Sequence, residues 1–94
     1  MQLNELRNHR TAILQLAEKY HAEDVRVFGS VARGEPHPHD IDLLVHFKPG
    51  ASLLDEVGLD IALNQLLGEK VDIIGDDVVR PEFMPFIDAE AVAL

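Results

Sequence analysis

Cysteine is absent from the chain, which excludes disulfide bridges and thiolate metal ligands at the outset. Also missing is any run close to the roughly 20 apolar residues that a membrane-spanning helix needs. The stretch from Met1 to Arg10 is polar and has no apolar signal core, so no membrane role and a cytoplasmic location are expected. Basic residues are scarce, with eight Lys and Arg against 17 Asp and Glu and a formal net charge of −9. Phosphate contacts along nucleic acids depend on Lys and Arg, so no direct nucleic-acid binding is expected. A small anion that carries its own metal ion, or a basic protein partner, remains compatible with that charge. There is no internal repeat and no linker long enough to divide the chain. With 47% hydrophobic residues, positions 1–94 are expected to form a single domain around one core.

Helical spacing of Leu6, Ile13, Leu16, Ala17 and Tyr20 predicts an amphipathic helix over Leu3 to Tyr20. A polar break at Ala22-Glu23-Asp24 precedes a short strand over Val25 to Phe28, which Gly29 ends. Ser30 to Arg33 begins a short helix, and the prolines make Gly34 to His39 a loop. Ile41 to Phe47 is the clearest strand: Ile41, Leu43, Val45 and Phe47 share one face, while Asp40, Asp42, Leu44 and His46 point to the other. Ser52 with Asp55 resembles a capping box, opening a helix to about Leu67 with Gly68 as its stop. Val71 to Ile74 reads as a third strand. Pro81 suits the first turn of a last helix carrying Phe83, Met84, Phe86 and Ile87, whose preferred use is core packing, with an interface as the other reading. Ala91 to Ala93 is expected to add a short edge strand.

The resulting order is α-β-α-β-α-β-α, a small mixed sheet of three to four strands flanked by helices. A helix joins the second and third strands, so these are expected to be parallel with a right-handed crossover. Asp40, Asp42 and Asp72 then fall at one end of the sheet. The first strand must run antiparallel to the second if Gly29-Ser30 is to reach that same end.

Asp40 and Asp42, two apart in a strand, share a face. Carboxylates that close resist joint ionisation unless a cation intervenes, and Mg²⁺ is an oxygen-seeking cation commonly held by one or two carboxylates plus phosphate oxygens. With Asp72 alongside, a pair of ions about 4 Å apart can be held, the arrangement used in phosphoryl displacement. Gly29 allows close backbone approach to phosphates, Ser30 offers a hydroxyl, and the helix start behind them offers free N–H groups. Arg33, one turn on, either reaches a triphosphate or makes a structural salt bridge. Each piece alone has a bland reading: Gly-Ser as a turn, Asp-x-Asp as a solvated strand end, Asp72 as surface. It is their topological convergence that points to function. His37 and His39 read as a solvated loop, with His39 able to lean over a nucleotide, and His46 reads as structural. Asp55, Glu56, Asp60, Asp76 and Asp77 read as helix-start and loop charges.

Gly29-Ser30-Val31-Ala32-Arg33-Gly34, then Asp40-Ile41-Asp42-Leu43, then Val71-Asp72-Ile73, together resemble the DNA polymerase beta-type nucleotidyltransferase superfamily. Within it the chain is most similar to the minimal nucleotidyltransferases, over essentially its whole length. The resemblance implies a palm-like mixed α/β (α+β) fold and transfer of a nucleoside monophosphate from ATP or another NTP with Mg²⁺, releasing pyrophosphate. It implies Ser30 as the phosphate contact, Asp40 and Asp42 as the metal-ligand pair, and Asp72 as the third carboxylate. One departure is His39, where the family often has Ser. Larger members carry extra domains that grip the acceptor, for which 94 residues leave no room. The resemblance therefore implies a partner that presents the hydroxyl. Minimal nucleotidyltransferases commonly accompany a HEPN-domain toxin and serve as its antitoxin, some by placing AMP on a toxin tyrosine. The rival expectations are a non-catalytic antitoxin of the same fold that acts by complex formation, and a transferase for a small molecule such as an aminoglycoside.

Overall fold

The computed structural model describes residues 1–94. Its elements are α1 (Leu3–Arg7), α2 (Arg10–Lys19), β1 (Ala22–Phe28), α3 (Gly29–Ala32), β2 (Ile41–Phe47), α4 (Leu53–Leu67), β3 (Val71–Gly75), a 3₁₀ turn (Asp76–Val78), α5 (Met84–Glu90) and β4 (Val92–Ala93). The four strands form one mixed sheet in the order β3-β2-β1-β4. β1 is antiparallel to β2 and to β4, and β2 is parallel to β3. The mixed α+β architecture expected from the sequence is thus what is found.

β2 forms where its alternation predicts, because Ile41, Leu43 and Val45 are fully buried beneath the helices. The core they join takes Leu6 from α1, Ile13 and Ala17 from α2, Val27 from β1, and Leu59, Leu63 and Leu67 from α4. α4 begins at Ser52, whose backbone N–H donates to Asp55 Oδ2 at 2.9 Å, and ends at Gly68, left-handed at φ 65°. That carboxylate has its proton affinity lowered chiefly by the Ser52 N–H, as a charge-assisted cap should. Gly58, in the middle of α4, is a packing requirement: a Cβ there would collide with the ring of Tyr20 at the end of α2.

Several boundaries differ from those expected. The first helix is two, because Asn8 and His9, both weak helix formers, tighten the chain: His9 N–H bonds to Leu6 O at 3.0 Å, a three-residue step that closes α1. β1 begins at Ala22, not Val25. The polar residues read as a break lie in the strand, where Ala22 and Glu23 pair with Phe47 and His46. The register shifts by one residue between Glu23 and Arg26, and Asp24 takes up the extra residue at φ 53°, as a β-bulge does. The last helix starts at Met84, three residues beyond Pro81. Its aromatic residues do not pack in the core: Phe83 and Phe86 are 52% and 74% exposed, and α5 contributes no buried residue.

Candidate active site

β1 delivers Gly29 to the end of the sheet where β2 and β3 begin. The register sets Phe28 opposite Asp42 and Asp42 opposite Asp72, so the turn and two carboxylates lie side by side across three strands. Asp40 sits in the residue before β2, its side chain half exposed. The convergence argued from topology is therefore present in the structure.

Gly29 cannot be replaced without cost here. It adopts φ 75°, and a Cβ would drive into Asp42 Oδ2, so only glycine allows the chain to turn against the carboxylate. Ser30 is the one buried polar residue, and its hydroxyl oxygen accepts the His39 N–H at 2.9 Å. That bond fastens the loop over residues 34–39 and so fixes where Asp40 emerges. Gln2 reinforces the loop by donating through Nε2 to the carbonyls of Glu35 and Pro36 at 3.1 and 3.0 Å. The Ser30 proton remains free to donate.

Asp42 has its proton affinity raised, first by burial, then by the negative charges of Asp72 and Asp40; Arg33 opposes the shift. Partial burial and neighbouring carboxylates act in the same direction here, a pattern that functional centres share with structural charge clusters. The donors are all hard oxygens, which suits a divalent cation such as Mg²⁺. As the side chains stand, no three acidic or histidine groups converge on one metal-sized point. Mg²⁺ needs no such cage, since one or two carboxylates together with phosphate oxygens satisfy it.

Arg33 Nε donates to Glu35 Oε2 at 2.9 Å, and the guanidinium also bonds Glu90. Of its two expected uses, the salt bridge is the one observed. His46 lies farther along β2 and shares Nδ1 with both oxygens of Asp76 at 3.1 Å, which raises its proton affinity. It braces the end of the sheet away from the site, as the structural reading predicts.

Two neighbours of the site were not singled out in the sequence. Lys70 Nζ stands 3.5 Å from Asp40 Oδ2. The signal was available, since the parallel register of Ile41 with Val71 sets Lys70 beside Asp40. Glu90 is close enough to Asp42 to raise its proton affinity slightly and pairs with Arg33. Nothing local in the sequence points to it, because only the packing of α5 brings it within reach.

Comparison with known proteins bears on the fold and the family. A family model described as a nucleotidyltransferase domain matches residues 6–92. A protein of Methanocaldococcus jannaschii, provisionally named a protein adenylyltransferase, is 37% identical over 93 residues, covering 98% of this chain and 97% of its own. A solved structure provisionally named a minimal nucleotidyltransferase superposes with a TM-score of 0.88 at 45% identity, covering 100% of this chain and 97% of its own. A chain in a crystal structure of a toxin–antitoxin with AMP-PNP superposes with a TM-score of 0.73 at 19% identity, over 88% of this chain and 69% of its own, a likeness of fold.

Proposed function

The chain belongs to the nucleotidyltransferase domain family, and on that premise we propose that it is an antitoxin that transfers AMP from Mg²⁺-bound ATP to a hydroxyl, a tyrosine by preference, of a HEPN-type partner toxin. The observation that carries this reading is the packing of Gly29 against Asp42 in register with Asp72, a glycine turn held against an acidic cluster. The provisional name of the M. jannaschii relative supports protein as the acceptor. The AMP-PNP complex supports an adenine nucleotide and a toxin partner.

In the proposed reaction the acceptor oxygen attacks the α-phosphorus, the bond from that phosphorus to the α,β-bridging oxygen breaks, and pyrophosphate leaves. Asp40 and Asp42 hold the divalent cation, with Asp72 on the acceptor side. Mg²⁺ bound there supplies charge neutralisation for the phosphates and lowers the cost of the developing charge. Asp72 takes the proton of the attacking hydroxyl, directly or through water. Gly29 lets the triphosphate approach the backbone, and Ser30 keeps a hydroxyl proton to donate to it. Arg33 exchanges Glu35 and Glu90 for a phosphate oxygen, a swap of one anionic partner for another that costs little at an exposed site.

The test is incubation of the chain with Mg²⁺, the protein encoded beside it, and ATP labelled at the α- or the γ-phosphate. Label from the α position alone is expected on the partner. A folded, mixed pair that acquires none would sink the enzymatic reading. The non-catalytic rival is separated by Asp40→Ala/Asp42→Ala, which it predicts still protects cells from the toxin and still forms the complex.

A further inference from the structure

α4 is apolar on both sides. Leu59, Leu63 and Leu67 turn inward and are buried, yet Leu53, Leu54, Val57 and Ile61 lie 71%, 81%, 46% and 54% exposed. A surface helix of this kind ordinarily keeps one face polar. The outward set spans two turns of one helix, a contiguous stripe and not scattered exposure.

The stripe has a floor beside it. β3 is the outer strand of the sheet, and two shallow hollows lie between it and α4. One, of about 310 Å³, is lined by Val57, Ile73, Ile74 and Val78 among others. The second, of about 380 Å³, is lined by Ile61, Asn64, Lys70, Val71 and Asp72 among others. Asp60 borders both, so the hollows lie to either side of it along the α4–β3 groove, and the second reaches the third carboxylate of the site. Asn64 already satisfies the outward backbone groups of Val71, accepting its N–H at 2.9 Å and donating to its carbonyl at 3.1 Å. That closes the strand edge at Val71 to pairing by another strand.

We propose that the outer face of α4 and the α4–β3 groove form the surface on which the protein acceptor docks, by an apolar segment rimmed with Lys and Arg. Charge selects this occupant. α4 has no Lys or Arg, the groove's one cation, Lys70, stands 3.5 Å from Asp40, and Glu56 and Asp60 interleave with the apolar stripe, so a complementary surface is basic around an apolar centre. A second copy of the chain fits poorly, because a two-fold interface sets the same patch against itself and meets acid with acid. Anionic lipid and nucleic acid are repelled by the same carboxylates. Docking here runs the acceptor along the groove toward Asp72, the side on which the hydroxyl is needed. The inference rests on the adenylyl-transfer reading for the identity of the acceptor.

The experiment measures binding of the purified neighbour-encoded protein to the whole chain by calorimetry at two salt concentrations. Leu54→Ser/Ile61→Ser is expected to weaken the complex at least tenfold. Glu56→Lys/Asp60→Lys is expected to weaken it as much and to flatten its salt dependence. Asp42→Asn is expected to bind the partner as the wild type does while transfer falls by roughly a thousandfold, which separates docking from chemistry. Phe86→Ser, on the other exposed apolar patch, is the control and is expected to leave affinity unchanged. The proposal is overturned if the α4 variants bind normally, if Phe86→Ser alone weakens the complex, or if sedimentation shows a homodimer that Leu54→Ser/Ile61→Ser dissolves. Absence of any complex also overturns it, while Mg²⁺-dependent ATP binding by the chain alone would leave the reading of the site standing.

Discussion

The two faces of β2 are built to opposite rules. On one, Ile41, Leu43 and Val45 are sealed under the helices with no polar group to satisfy. On the other, Leu44 is buried, but Asp42 at one end is crowded by Asp40 and Asp72, and His46 at the other is held by Asp76. The first face gains stability from burial at about 25 cal/mol per Å² of apolar surface. The second gives some of it up, holding like charges together at a partly buried edge. A two-residue period in one strand thus separates what holds the fold from the proposed site, a conflict expected at functional sites.

The strongest way to break that contrast is to neutralise the crowded face. Asp42→Asn is expected to cut transfer by roughly a thousandfold, the scale of losing a principal charge-stabilising group, while raising stability by about 1 kcal/mol as repulsion disappears. Single-turnover labelling and a thermal melt read the two effects, and loss of both activity and stability would contradict the account. The sealed face predicts the reverse. Leu63→Ala is expected to cost about 3 kcal/mol of stability while leaving the turnover of folded protein unchanged, measured by denaturant titration and by activity well below the melting range.

Gly29→Ala tests the seam between the two regions. Left-handed backbone costs a side chain about 1–2 kcal/mol, and displacing Asp42 is expected to lose roughly a hundredfold in transfer. A variant that melted lower but transferred normally would show that the close approach to Asp42 is only structural.

The smallest expected effect is the pH dependence of the metal-free chain. Asp42 has a raised folded-state proton affinity, so its protonated form is favoured on folding. Its contribution is favourable below the ordinary carboxylate range and is lost as pH rises through the raised folded value. His46 is also raised; its pairing with Asp76 stabilises the fold below the ordinary imidazole range and fades as pH rises through its own folded value. Melts of wild type and Asp42→Asn against pH should converge toward acid and diverge toward neutrality. Parallel curves would remove the electrostatic account of the crowded face.

Much of this contrast was legible in the sequence because it is written at short range. The alternation of Ile41 to Phe47 names both faces, and a helix between two strands sets the parallel register that brings Asp72 to Asp42. The limits of α4 follow from Ser52, Asp55 and Gly68. What escaped the sequence depends on tertiary context. Glu23 and Asp24 look like a break until the bulge places them in β1. Phe83 and Phe86 look like core until both are found exposed and α5 without a buried residue. Arg33 is open in the sequence to either a phosphate or a salt bridge, and its partner Glu90, brought from the far end of the chain, is visible only in the packed structure.

The central claim is that the Gly29 turn and the carboxylates at 40, 42 and 72 make one metal–nucleotide site. The most direct measurement is the melting temperature of the purified chain with ATP alone, Mg²⁺ alone and both together. At ligand concentrations about a hundredfold above dissociation, binding adds about 2.7 kcal/mol, or on the order of 10 °C for a domain of this size. The account predicts that rise only when ATP and Mg²⁺ are both present, and none in Asp42→Asn. An equal rise with ATP alone, or an undiminished rise in Asp42→Asn, would contradict it.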